Sequence, residues 1–179
     1  MVKLVRVDER LVHGQVAFAW TNSLAADCIF VVNDAVSKDK LRATSLKLAA
    51  PAGVKFVSKS VDDAIAALKS GKTDKYKLFI VVDNTADALR LVKEVEAVDH
   101  INLGNMKVKD GTKTWTNSIA VTDADISNIK EMIAAGAEVE CRPVPTEKKI
   151  MAESLILRKE IIYGSKSIIS GISGIFGSH

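Results

Sequence analysis

Short, almost wholly apolar runs recur along this chain, and each is followed by a stretch with helical periodicity. Leu78-Phe79-Ile80-Val81-Val82 shows the pattern best. It has no alternating polar positions, as expected of a strand covered on both faces. Residues 2–7, 27–32, 54–57, 77–82, 99–103, 116–121 and 138–142 read as strands. Strands that alternate with helices imply right-handed βαβ units and parallel pairing. The predicted fold is α/β: a single three-layer domain with helices on both faces of a twisted, mostly parallel sheet of about six or seven strands.

The helices carry their own start and stop signals. Ser60 with Asp63 forms a capping pair ahead of Ala64, Ile65, Ala67 and Leu68, and Gly71 ends that helix. Asn84 caps a helix whose face carries Ala88, Leu91, Val92 and Val95. Thr122 with Asp125 opens another, which buries Ile126, Ile129 and Ile133 and stops at Gly136. Val16, Trp20 and Leu24 mark one face of a helix after the first strand, and 35–49 is helical in pattern up to Pro51. Lys109-Asp110-Gly111-Thr112 signals a hairpin or excursion near 105–118. Residues 1–163 form the expected domain. The Gly-, Ser- and Ile-rich stretch 164–179 reads as a tail, and its Gly177-Ser178-His179 end has the composition of a vector-derived remnant.

Composition narrows the class. With 179 residues, 47% hydrophobic and 26% charged, the chain can bury one substantial core and is not disordered as a whole. The net charge of +3 is too small to imply nucleic acid, although it tolerates a phosphorylated partner. Cys28 and Cys141 lie in apolar or β-branched runs with no metal-ligand spacing, which suggests buried free thiols in a reducing compartment. No apolar run approaches the roughly 18 residues of a membrane span. The start of the chain reads as a strand, without the apolar stretch of a secretory signal. The expectation is a soluble, cytoplasmic protein.

In an open parallel sheet, chemistry gathers at the carboxyl ends of the strands. The first such end reads Arg6-Val7-Asp8-Glu9-Arg10-Leu11-Val12-His13-Gly14-Gln15-Val16. His13 falls at the start of a helix, where free N–H groups and the helix dipole favour an anion. Gly14 lets a backbone approach closely. Arg10 offers a planar fork of donors to phosphate oxygens. Asp8 orients an arginine or accepts the imidazole N–H. A neutral imidazole beside a phosphate cradle is a nucleophile or an electrostatic clamp.

These residues resemble the signature of the enzyme IIB component of the mannose/fructose/sorbose-type sugar phosphotransferase system. Trp20-Thr21, Asn33-Asp34, Leu48-Ala49-Ala50-Pro51-Ala52-Gly53-Val54 and Asn102-Leu103-Gly104-Asn105-Met106 extend the resemblance over residues 1 to about 163. It implies a phosphoryl carrier that accepts phosphate from a phosphohistidine of the IIA component. The accepting position corresponds to Nδ1 of His13. The carrier would pass the group to a sugar held by the membrane IIC and IID components. Arg10 would steady the transferring group, with Asp8, Gly14 and Gln15 in support and Arg6 anchoring the loop to the strand. Neither a metal nor a cofactor is required. The protein would associate peripherally with the membrane permease, and a homodimer is the expected assembly. Lys38, Lys40, Arg42, Lys107 and Lys109 are candidates for docking the partner, and His100 reads as structural.

The same residues admit two other functions. A histidine-nucleophile phosphatase also places His-Gly after strand one, but typically with Arg directly before the His, where Val12 stands here. A non-catalytic doubly wound binding module is the other. Neither G-x-G-x-x-G nor a P-loop lysine motif follows the first strand.

Overall fold

A computed structural model describes residues 1–172, with side chains to residue 162. Seven strands form the main sheet in the order β3-β2-β4-β1-β5-β8-β9. They are β1 Val2–Asp8, β2 Cys28–Val32, β3 Lys55–Lys59, β4 Leu78–Val82, β5 His100–Asn105, β8 Glu138–Cys141 and β9 Ile150–Met151. All neighbours pair in parallel except β9, which runs antiparallel to β8. A two-stranded antiparallel ribbon, β6 Lys113–Thr114 with β7 Ala120–Val121, supplies the predicted hairpin. Only the last two residues of the expected strand 116–121 are strand.

The helices α1 Gly14–Leu24, α2 Asp34–Ser37 and α3 Lys40–Ala49 cover one face. The other carries α4 Val61–Lys69, α5 Thr85–Glu94, α6 Asp123–Ala134 and α7 Ala152–Ile172. The expected helix over 35–49 is therefore two. Asn33 caps α2, and Asp39 interrupts the pattern because its carboxylate accepts from Arg42 N and starts a new N-terminus. Ser60, Asn84 and Thr122 cap α4, α5 and α6, the last with a reciprocal capping box through Asp125. Strand β9 and the long α7 had no counterpart in the sequence reading. The expected tail begins at 164, inside α7; residues 173–179, with Gly177-Ser178-His179, lie outside the described residues.

Strand alternation splits the core. Val5, Val7, Phe30, Ile80 and Val82 face α4–α7, whereas Leu4, Ile29, Val31, Phe79 and Val81 face α1–α3. Each all-apolar strand feeds both layers. Cys28 and Cys141 are buried free thiols, and burial pushes them up to about 11 and about 12. Neither is a nucleophile at neutral pH.

Candidate functional site

β1 lies between β4 and β5, so its carboxyl end opens at the centre of the sheet, where the strand order reverses. Arg6 and Asp8 sit two apart on this strand and therefore share a face, in register with Asn102 and Asn105 of β5. Both are buried, Arg6 at 1% and Asp8 at 0% exposure. A buried charge survives only when it is paired and hydrogen-bonded. Arg6 meets that demand in full: Nε and Nη2 donate to Asp8 Oδ2 at 3.3 and 3.0 Å. Its Nη1 donates to Asn102 Oδ1 at 2.8 Å and to the Arg142 carbonyl at 3.3 Å.

Asp8 also holds Arg10. Its Oδ1 accepts from Arg10 N at 2.9 Å and Nε at 3.1 Å, and its Oδ2 accepts from Nη2 at 3.1 Å. One carboxylate thus clamps two guanidinium groups. Burial alone would raise the Asp8 carboxyl, but donation from Arg10 and the charge of Arg6 outweigh it and hold it below the usual range. Burial lowers Arg6 from its ordinary value, and Asp8 opposes that. Arg10 is one-third exposed, so its outer edge remains open to solvent.

The chain then turns sharply. Leu11 N donates to the Asp8 carbonyl at 2.9 Å, and Leu11 takes a left-handed φ of 61° while its side chain is buried. A bulky residue there stores strain of order 1–3 kcal/mol, which the surrounding packing must hold. Glu9 ties the loop outward: its carboxylate accepts from Lys107 N at 3.1 Å and Lys109 Nζ at 3.2 Å. Lys38, Lys40 and Arg42 are exposed on the α2–α3 side.

His13 is the N-cap of α1, with extended backbone, and its side chain makes no capping bond. It is exposed, as are Gly14 and Gln15. The first turn of α1 holds no acidic residue. Its free N–H groups therefore face outward with no internal anion. A Cβ on Gly14 would meet only the Ala49 carbonyl, at 3.8 Å, so the fold itself does not demand glycine there. The Asp8 carboxylate accepts from the two arginines and, at 3.4 Å, from Asn105 Nδ2; no contact to His13 is present among the described residues.

Three further residues complete the support: the sequence placed Trp20 on a helix face and in the family resemblance but gave it no role at the site, and it singled out neither Arg142 nor Glu140. Arg142 supplies the carbonyl that receives Arg6 and Asn102. Trp20 on α1 lies beneath both arginines, with Cζ of Arg142 at 5.0 Å and Cζ of Arg6 at 5.6 Å from the ring centre. Its Nε1 donates to the Pro143 carbonyl at 3.2 Å. Glu140, buried, binds His100 Nε2 at 3.0 Å and Arg142 Nη2 at 3.0 Å. Arg142 Nε lies 3.0 Å from Oε2 but off the hydrogen-bond axis, so that contact is ionic. His100 begins β5 and also lies 3.3 Å from Glu138. One signal was available in the sequence: Asn102 and Glu140 interrupt apolar strands at alternate positions.

This architecture is that of the phosphotransferase-system IIB domains. It matches the IIBSor domain of the sorbose permease from Klebsiella pneumoniae with a TM-score of 0.83 and 28% identity, over 88% of this chain and 97% of that one. The chain belongs to the PTS system sorbose subfamily IIB component family, whose sequence profile matches residues 2–167. It is 33% identical over 147 residues to the sorbose-specific EIIB component of Lacticaseibacillus casei, covering 82% of this chain and 90% of that protein. The mannose-specific EIIAB component of Escherichia coli K12 is 33% identical over 156 residues, 87% of this chain and 48% of that protein. The chain is accordingly a sugar phosphotransferase, a phosphoryl carrier in sugar uptake. No helix among the described residues is long and apolar enough to cross a membrane.

Proposed function

We propose that His13 is the phosphoryl acceptor. The donor is a phosphohistidine of the IIA component, and the group lands on Nδ1 of His13 as the donor P–N bond breaks. The phosphoryl group then passes to a sugar hydroxyl at the membrane IIC and IID components, to which the protein docks from the cytoplasmic side. Transfer of this kind is mostly positioning and charge neutralisation. Arg10 supplies the charge from its open edge. Asp8 and Arg6 hold it in place, and Gly14 and Gln15 offer the amides of the helix start.

The observation that carries this reading is the exposed His13 ring at the N-cap, free of any capping bond, three residues from a guanidinium pinned by a buried carboxylate. A phosphatase needs a second histidine at the site. His100, the other histidine among the described residues, is instead held by Glu140 and Glu138 at the start of β5.

The test is transfer of radiolabel from phosphorylated IIA. The wild-type label is expected to be acid-labile and alkali-stable, as a phosphoramidate is, and absent from His13→Ala. Continued labelling of that variant excludes His13.

A further inference from the structure

A second concavity runs along edge strand β3, from Lys55 to Lys59, beside α4 and over the starts of β2 and β4 at Cys28 and Leu78. Its volume is about 730 Å³, within the range of small-molecule sites. Its existence follows from the sequence of two elements. α4 turns Val61, Ala64, Ile65 and Leu68 onto the sheet and leaves short side chains, Ala66 and Ala67, beside the edge strand. Beside them Val57 of β3 is left half-buried, while Cys28, Phe30 and Leu78 behind it are buried and form the floor.

The rim is cationic. Lys55 and Lys59 project from one face of β3, four residues apart, and Lys72 enters from the loop after α4. Among the described residues none of the three makes an ion pair, and one carboxylate, Asp63, lines the same cavity. Lys55 Nζ donates to Tyr76 Oη at 2.8 Å, and the Nζ atoms of Lys55 and Lys75 lie 4.5 and 5.2 Å from that ring. Hydrogen bonding from Lys55 lowers the Tyr76 phenol from its ordinary value. Three ammonium groups against one carboxylate leave the rim net positive beside an apolar wall, an arrangement that a negatively charged ligand relieves.

We propose that this groove binds a small organic anion: a flat apolar body on the Val57, Ala66 and Ala67 wall, and a carboxylate, sulfonate or phosphate between Lys55 and Lys59. The site is separate from the phosphoryl acceptor. His13 starts α1 on one face of the sheet, whereas the groove runs along edge strand β3 beside α4 on the other face.

The probe is anilinonaphthalene sulfonate, titrated by fluorescence into the full chain. A saturable one-site curve is expected, displaced by benzoate and not by inorganic phosphate alone. Lys55→Glu with Lys59→Glu is expected to weaken binding about tenfold or more, as loss of two charged contacts implies. The same double variant is expected to keep its uptake of phosphoryl label, which separates this site from the proposed relay. Ala67→Trp, which fills the groove, is expected to abolish dye binding while the thermal midpoint shows the chain folded. Affinity within twofold of wild type in both variants, or phosphate competing as well as benzoate, overturns the proposal.

Discussion

Replacing Gly104 with alanine probes how rigidly the arginine network is held. An added Cβ would stand 2.0 Å from Arg6 Cζ and 2.1 and 2.3 Å from its terminal nitrogens. Real Cβ atoms essentially never approach within 3.0 Å, so the guanidinium must retreat by about 1 Å or more. The end of an arginine normally yields at little cost. This one is pinned by Asp8, Asn102 and the Arg142 carbonyl, covered by Trp20, and 1% exposed. A retreat of that size stretches the 2.8 Å bond to Asn102 to about 3.8 Å, beyond useful hydrogen bonding. Disturbing a buried ion pair in this way costs on the order of 3–5 kcal/mol, a large part of the 5–15 kcal/mol typical of a domain. Urea unfolding of Gly104→Ala is expected to show a midpoint lowered accordingly, with an unchanged slope. Phosphoryl uptake falls too, because Asp8 loses the partner against which it holds Arg10. A loss below about 1 kcal/mol would refute the reasoning, since Arg6 would then be free to move.

Arg10→Lys keeps the charge but loses the fork that grips both oxygens of Asp8. Phosphoryl uptake is expected to slow about tenfold or more while stability changes by less than about 1 kcal/mol; an unchanged rate assigns Arg10 to scaffolding. Asp8 and Glu140 are both held below their ordinary values. Their contribution to stability is therefore present above about pH 4 and lost as pH falls through the lower folded values. Urea midpoints measured across that window are expected to fall less steeply for Asp8→Asn than for wild type; parallel profiles would contradict the assignment. Ala25, exposed at the end of α1, has a left-handed φ of 51°. Ala25→Gly is expected to raise stability by about 0.5–1 kcal/mol, since L-residues pay roughly 1–2 kcal/mol there; a lowered thermal midpoint would argue against strain.

The layers of this protein were legible because periodicity is a local property. Five apolar residues in β4 need cover on both faces wherever they end up, and Ser60, Asn84 and Thr122 cap their helices through bonds that span three residues. The break at Asp39 was less so, because Lys40 to Ala49 continues the helical pattern and only the carboxylate bond to Arg42 N marks a new start. Strand β9 was illegible, being two residues whose pairing with Glu140 and Cys141 exists only once β8 is in place.

The site divides in the same way. Residues 6–15 carry the histidine, the arginines and the carboxylate in one short stretch, so their nearness needs no fold. Their arrangement does. Arg6 is buried because Asn102 and the Arg142 carbonyl, 96 and 136 residues away, arrive to accept hydrogen bonds from its guanidinium. Trp20 lies under it because α1 folds back across the sheet. The sequence by itself determined which groups carry charge and which segments repeat with a helical or strand period. Tertiary structure alone decided that one carboxylate clamps two arginines while the imidazole stays in solvent. Burial and long-range hydrogen bonds depend on strands meeting side by side, and no local pattern records which strands those are.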